Sequence, residues 1–185
     1  MKRLTTLLLA LTLPATAAQA EKLRVDTLIF LNPPSVEEQG TPPRHPDDER
    51  AIAIDDLRGL AYAGIALLPE DSSTLAPEWT MLKASRRYKP LLRLSWLQEA
   101  PRFEGGPALR IYLPGGDGIS GLDGWLRLHR GKGVLLSADL EVVQPGPDQQ
   151  PLGYRLQERR ALTTDTLHYL DSTRIGVLAR VSAAR

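Results

Sequence analysis

Apolar and polar residues alternate with period two through most of the second half of the chain. The stretches LLRLSWLQ (91–98), ALRIYL (108–113), LDGWLRLHR (122–130), VLLSADLEVV (134–143), YRLQERRAL (154–162) and RIGVLARV (174–181) carry the pattern, with Gly, Pro and Asp in the breaks. Successive strand side chains point to opposite faces, so these segments predict an antiparallel meander with one solvated face. A further strand is predicted at LRVDTLIFLN (23–32), which is rich in β-branched and apolar residues. The period changes in DSSTLAPEWTMLKASRRYK (71–89), where Leu75, Trp79 and Leu82 fall at i, i+4 and i+7. That spacing predicts a helix, with capping oxygens offered by Asp71 to Thr74 and Pro77 in its first turn. AIAIDDLRGLAYAGIALLP (51–69) fits either a short helix or a strand. The predicted class is α+β: mainly one antiparallel sheet of about six to seven strands, with one main helix packed on one face.

One hairpin can be taken to register. Between the strands at 122–130 and 134–143 lie Gly131, Lys132 and Gly133. A two-residue turn would set Leu126 against Ser137 and mix the faces. A three-residue loop pairs Leu122 with Val142, Leu126 with Ala138 and Leu128 with Leu136, which separates apolar from polar. Gly133 at positive φ is the expected loop solution. The opposite face then pairs Asp123 with Glu141, Trp125 with Asp139 and Arg127 with Ser137. A tryptophan beside an arginine and carboxylates, on the face away from the core, asks for a reason: either it meets a ligand, or a loop or the helix covers it.

The first twenty residues change the picture. MKRLTTLLLALTLPATAAQA has Lys2 and Arg3, an apolar run from Leu7 to Leu13, Pro14, and small residues at Ala18 and Ala20. This is the pattern of a secretory signal cleaved after Ala20, too short for a stable membrane span. Residues 21–185 are then expected to form a single exported domain without a membrane span, large enough to bury its own core. No cysteine occurs anywhere in the 185 residues, so no disulfide is used. Residues 32–50, with five prolines in NPPSVEEQGTPPRHPDDER, bury too little apolar area to order themselves and are expected to form a mobile acidic loop.

Net charge is close to zero, which argues against a nucleic-acid partner. The charge is nevertheless segregated: ten acidic residues against three arginines from Asn32 to Glu78, nine basic against four acidic from Arg86 to Lys132. The strand-rich half therefore presents a cationic surface that acts over short distances. Part of that run, Arg86, Arg87 and Lys89, also complements the negative end of the predicted helix.

Catalytic motifs are missing. His45, His129 and His168 show no paired-ligand spacing, and there is no cysteine nucleophile, G-x-S-x-G or S-x-x-K. The glycine-rich GGDGISG (115–121) links two strands without a following helix. Asp139 and Glu141 would lie roughly 7 Å apart on one strand face, a distance that fits a glycosidase pair but equally a solvated face. No enzyme activity, cofactor or metal is expected.

The segments RRYKPLLRLSWLQ (86–98), LDGWLRLHRGKGVLLSADLEVV (122–143) and YRLQERRALTTDTLHYLDSTRIGVL (154–178), with EKLRVDTLIFLN (21–32), occur in an order that resembles CsiV. That is the periplasmic peptidoglycan-binding family of gamma-proteobacteria. The resemblance implies a small periplasmic protein that binds peptidoglycan. It also implies support of wall synthesis by a class A penicillin-binding protein, through that enzyme's outer-membrane lipoprotein activator. The chain departs from the family pattern at GKGVLLSADL, where Tyr and His are expected. It departs again at Ser172-Thr173-Arg174-Ile175, where His-Pro and an aromatic are expected.

Peptidoglycan offers sugar faces that stack on Trp or Tyr and carboxylates that suit the arginine fork. The candidate contact residues are Arg93, Trp125 and Arg127, with Arg159, His168 and Tyr169 behind them. Trp96 points opposite to Arg93 on its strand and belongs to the core. An envelope adaptor using a strand edge, and a binder of anionic lipid or lipopolysaccharide, are the other functions compatible with such a surface.

Overall fold

A computed structural model describes residues 22–34, 40–102, 104–115, 121–146 and 150–184. The export signal expected at 1–20 lies outside them, as does most of the glycine-rich link at 115–121. The elements are β1 (Lys22–Leu31), β2 (Ala51–Ala53), α1 (Leu57–Tyr62), β3 (Ile65–Leu67), α2 (Ala76–Ala84), β4 (Lys89–Glu99), β5 (Ala108–Leu113), β6 (Gly121–Arg130), β7 (Val134–Pro145), β8 (Pro151–Leu162), β9 (Leu167–Asp171) and β10 (Ile175–Ala183).

The strands form two five-stranded sheets, where the alternation suggested one sheet of six or seven. The first has the order β3-β4-β1-β10-β9 and the second β2-β5-β6-β7-β8. Pairing is antiparallel throughout except between β2 and β5, which run parallel. The strands missing from the sequence reading are short edge strands: β2 and β3 have three residues each and β9 has five. Three residues cannot show a period.

One apolar core joins the inner faces. Val25, Ile29, Trp96 and Val177 of the first sheet share it with Leu126, Leu136, Leu140 and Leu156 of the second, and Leu60 of α1 closes one side. Trp96 is fully buried, as its place opposite Arg93 required, and its indole N–H donates to Gln98 Oε1 at 3.1 Å. The β6–β7 hairpin adopts the apolar-segregating register, with Leu122 against Val142, Leu126 against Ala138 and Leu128 against Leu136. Its loop has three residues, but Gly133 is not at positive φ; the Gly131 N–H closes the turn on Gly133 O at 2.8 Å. The glycine that needs its freedom here is Gly124, at φ 143°, whose added Cβ would sit 2.1 Å from the Asp139 carbonyl.

Helix α2 covers the outer face of the first sheet, where Leu75 and Leu82 meet Leu28 and Phe30, with Trp79 and Leu178 at the margin. The apolar spacing places this face as expected; the caps do not follow. Leu75 occupies the N-cap without a side-chain hydrogen bond, and Thr74 Oγ1 is drawn away to Asp26 Oδ2 at 2.9 Å. Asp26, buried on the same face, also accepts from Ser95 Oγ at 2.6 Å and Arg24 Nε at 2.8 Å. Burial alone would raise its pKa; these donors reverse the effect and hold it below the usual carboxylate range.

Of the mobile loop expected at 32–50, residues 35–39 lie outside the described residues, and residues 40–50 make hydrogen bonds across the second sheet. Thr41 makes a two-bond bridge to Gly153, and the backbone N–H groups of Arg44 and His45 both donate to the Glu141 carboxylate. Composition alone cannot register a buried acceptor supplied by a distant strand.

Candidate functional site

Period-two alternation sends Asp123, Trp125 and Arg127 of β6 to the outer face of the second sheet. There they line up with Glu141, Asp139 and Ser137 of β7 and with Arg155, Gln157 and Arg159 of β8. The result is a lattice of charges in one plane. Arg155 grips Asp139 through Nε at 2.6 Å and a second nitrogen at 2.5 Å, the bidentate arrangement a planar guanidinium favours. Arg110 of β5 pairs with Asp123 at 2.5 Å and donates to the Pro46 carbonyl. His45, in a left-handed conformation at φ 52°, places Nδ1 3.1 Å from the other Asp123 oxygen.

Two loops lie over this plane and engage the candidate residues. Arg127 stacks on Trp125 with its guanidinium 4.8 Å from the ring centroid. It also donates to Gly106 O at 2.9 Å and pairs with Asp48 at 2.5 Å. Burial would raise the Asp48 pKa, but Arg127 and the Arg50 backbone N–H lower it overall. Arg127 keeps 12% side-chain exposure, and Trp125 is half-buried with no hydrogen-bond partner for its indole N–H among the described residues. The exposed Arg159 reaches Glu104 with two nitrogens, at 2.6 and 3.1 Å. Glu141, 1% exposed, meets the 40–50 loop because Gly153 leaves room; a Cβ there would stand 2.5 Å from Glu141 Oε1. On the same face His129 is buried, and neither ring nitrogen has a partner among the described residues. Its pKa is lowered by burial first, then by the charges of Arg159 and Arg127 against the opposing pull of Glu104.

The other candidates lie on the first sheet. Arg93 is half-buried near α2, 5.7 Å from the Trp79 ring and 3.6 Å from Glu70. His168 Nε2 accepts the Thr163 N–H at 2.8 Å and so fastens the turn between β8 and β9. Tyr169 is exposed, stacks parallel to Phe30 at 6.2 Å, and donates to Asn32 Oδ1 at 3.2 Å. Its pKa is raised, chiefly by burial.

The six candidates are therefore not one site. Trp125, Arg127 and Arg159 share a face; Arg93, His168 and Tyr169 are dispersed over the other sheet. The partners Asp48, Glu104 and Gly106 went unnoticed in the sequence because pairing at separations of 21 to 79 residues leaves no local pattern. The ring of Tyr88 was also passed over, although it sits in the basic run RRYK. Its ring meets Phe30 edge-on at 5.6 Å.

Fold and surface together define a two-sheet β protein that displays rings and arginines. Among the described residues it gathers no cluster of three or more metal-ligating side chains, and no helix is long and apolar enough to cross a membrane. The family model of CsiV, described as a peptidoglycan-binding protein, matches residues 3–184, and the chain belongs to that family. No curated protein and no solved structure matches it.

Proposed function

We propose that the protein is a non-catalytic periplasmic peptidoglycan-binding protein. In this reading it supports wall synthesis by a class A penicillin-binding protein through that enzyme's outer-membrane lipoprotein activator. The observation that carries the reading is the family match over nearly the whole chain. The chemistry agrees: murein combines sugar rings with peptide carboxylates, and the surface combines aromatic rings with arginines. Of the six contact candidates, Arg159 and Tyr169 are the two classed as exposed, so they lead the list. Trp125 and Arg127 join them where the 40–50 loop yields; Arg93 and His168 act by holding neighbouring elements in place.

The test is co-sedimentation of the purified exported form with washed, protein-free sacculi. The protein is expected in the pellet at low salt and progressively in the supernatant as salt rises, since arginine–carboxylate contacts at a surface are screened. Protein that stays in the supernatant at low salt removes the reading. Capture of the lipoprotein activator from detergent extract tests the partner separately.

A further inference from the structure

The described cations of the second sheet's outer face, Arg110, Arg127, Arg155 and Arg159, all have carboxylate partners. One stretch of the first sheet is different. Arg86 and Arg87, between α2 and β4, and Lys89, the first residue of β4, are all exposed, and none makes an ion pair among the described residues. Between them in sequence stands Tyr88, 37% exposed, and beyond Phe30 lies Tyr169, 40% exposed.

These rings are held from beneath. Phe30 is buried, edge-on to Tyr88 and parallel to Tyr169, so a single ring positions both tyrosines. Phe30 can lie there because its cross-strand neighbour is Gly176, where an added Cβ would come within 2.5 Å of the ring. Asn32 completes the frame by accepting the Tyr169 hydroxyl and donating to Ser172 O at 2.8 Å. Two aromatic surfaces are thus fixed before any ligand arrives, which lowers the ordering cost of binding. Asp171 lies on the same side of β9 as Tyr169 and repels an anion there, whereas Arg86 and Arg87 adjoin Tyr88 in sequence.

We propose that this end of the first sheet is a subsite for a saccharide whose attached peptide carries a free carboxylate, the apolar ring face on Tyr88 and Tyr169 and the carboxylate on Arg86 and Arg87. The inference rests on the peptidoglycan reading above and gives it a location. Sugar faces stack on exposed rings and carboxylates are gripped by guanidinium forks, and here exposed rings come with cations that make no ion pair among the described residues.

The experiment uses the exported form with two probes: sacculi, and a soluble disaccharide-peptide released from them, with its carboxylates either free or amidated. Arg86→Ala/Arg87→Ala and Tyr169→Leu are each expected to weaken binding of the free-acid probe roughly tenfold. Lys132→Ala, at the exposed β6–β7 turn of the other sheet, is expected to leave it unchanged. Amidation should weaken binding to the parent protein by a similar factor and cost the double arginine variant nothing more. The arginines are exposed and unpaired, so their removal does not threaten folding, and unchanged thermal melting checks this. Equal binding of parent and double variant to free-acid probe, with the parent still pelleting on sacculi, overturns the subsite alone. A parent protein that fails to pellet overturns the peptidoglycan reading with it.

Discussion

On the outer face of the first sheet, α2 lays Leu75 and Leu82 over Leu28 and Phe30. On the outer face of the second, the loop at 40–50 and residues 104–106 are held by Glu141, Asp123, Arg127 and Arg159, each through a charged side chain. The inner faces of both sheets are alike; their covers are opposite in chemistry. An apolar cover is non-directional and indifferent to salt and pH, while a polar cover depends on each donor meeting its acceptor. The polar cover shows its cost in the Trp125 indole and both His129 nitrogens, buried without partners among the described residues. The teaching of the contrast is that the second sheet's cover depends on conditions through most of its contacts, and the first sheet's only through Asp26 and the ion pairs beside its apolar cover.

The largest expected effect breaks the apolar side. Leu28→Ala removes a fully buried side chain from beneath α2 and is expected to cost about 3 kcal/mol in urea unfolding, equally at low and high salt. A loss that varies with salt would contradict the contrast. Next comes the polar side. Glu141→Ala leaves the Arg44 and His45 N–H groups without their acceptor and is expected to cost about 2 kcal/mol. It should also speed tryptic cleavage after Arg44 or Arg50, whereas Leu28→Ala should not do so at matched folded fraction. An unaltered cleavage rate would mean that Glu141 does not hold the loop.

The smallest effect is in pH. The pKa of His129 is lowered in the folded state, so the unfolded chain binds its proton first. Its contribution is complete above the unfolded value near ~6.5 and is lost as pH falls toward the lower folded value. His129→Leu is expected to flatten the stability profile between about pH 7 and 5, measured by urea midpoints. Asp26 and Asp48 act in a separate window: their stabilisation is present above about pH 4 and fades as pH falls through their depressed folded values. A profile whose slope near pH 6 survives the His129 substitution would assign the acid response elsewhere.

Much of the fold was legible. The long strands β4 to β8, the apolar face of α2, the burial of Trp96 and the whole β6–β7 register follow from alternation and spacing. The short edge strands and the division into two sheets did not, because three residues carry no period and alternation names a buried face without naming what buries it. The contact candidates fared unevenly for a related reason. Trp125 and Arg127 were correctly set on the outer face, but a face can be outer to the core and still lie under a loop. The basic run at 86–89 reads equally well as a helix terminus; its aromatic setting depends on Phe30 and Tyr169, which enter from other strands.

By itself the sequence determined which residues are strands, which side chains share a face and how one hairpin pairs, since these depend on a period of two and on neighbours a few residues away. Tertiary structure alone decided which charges are spent and which remain available. Arg127 meets Asp48 across a sequence separation of 79, and Tyr169 meets Asn32 across 137. Electrostatic and ring contacts act through distance in space, and that distance exists only once both sheets have closed on their common core.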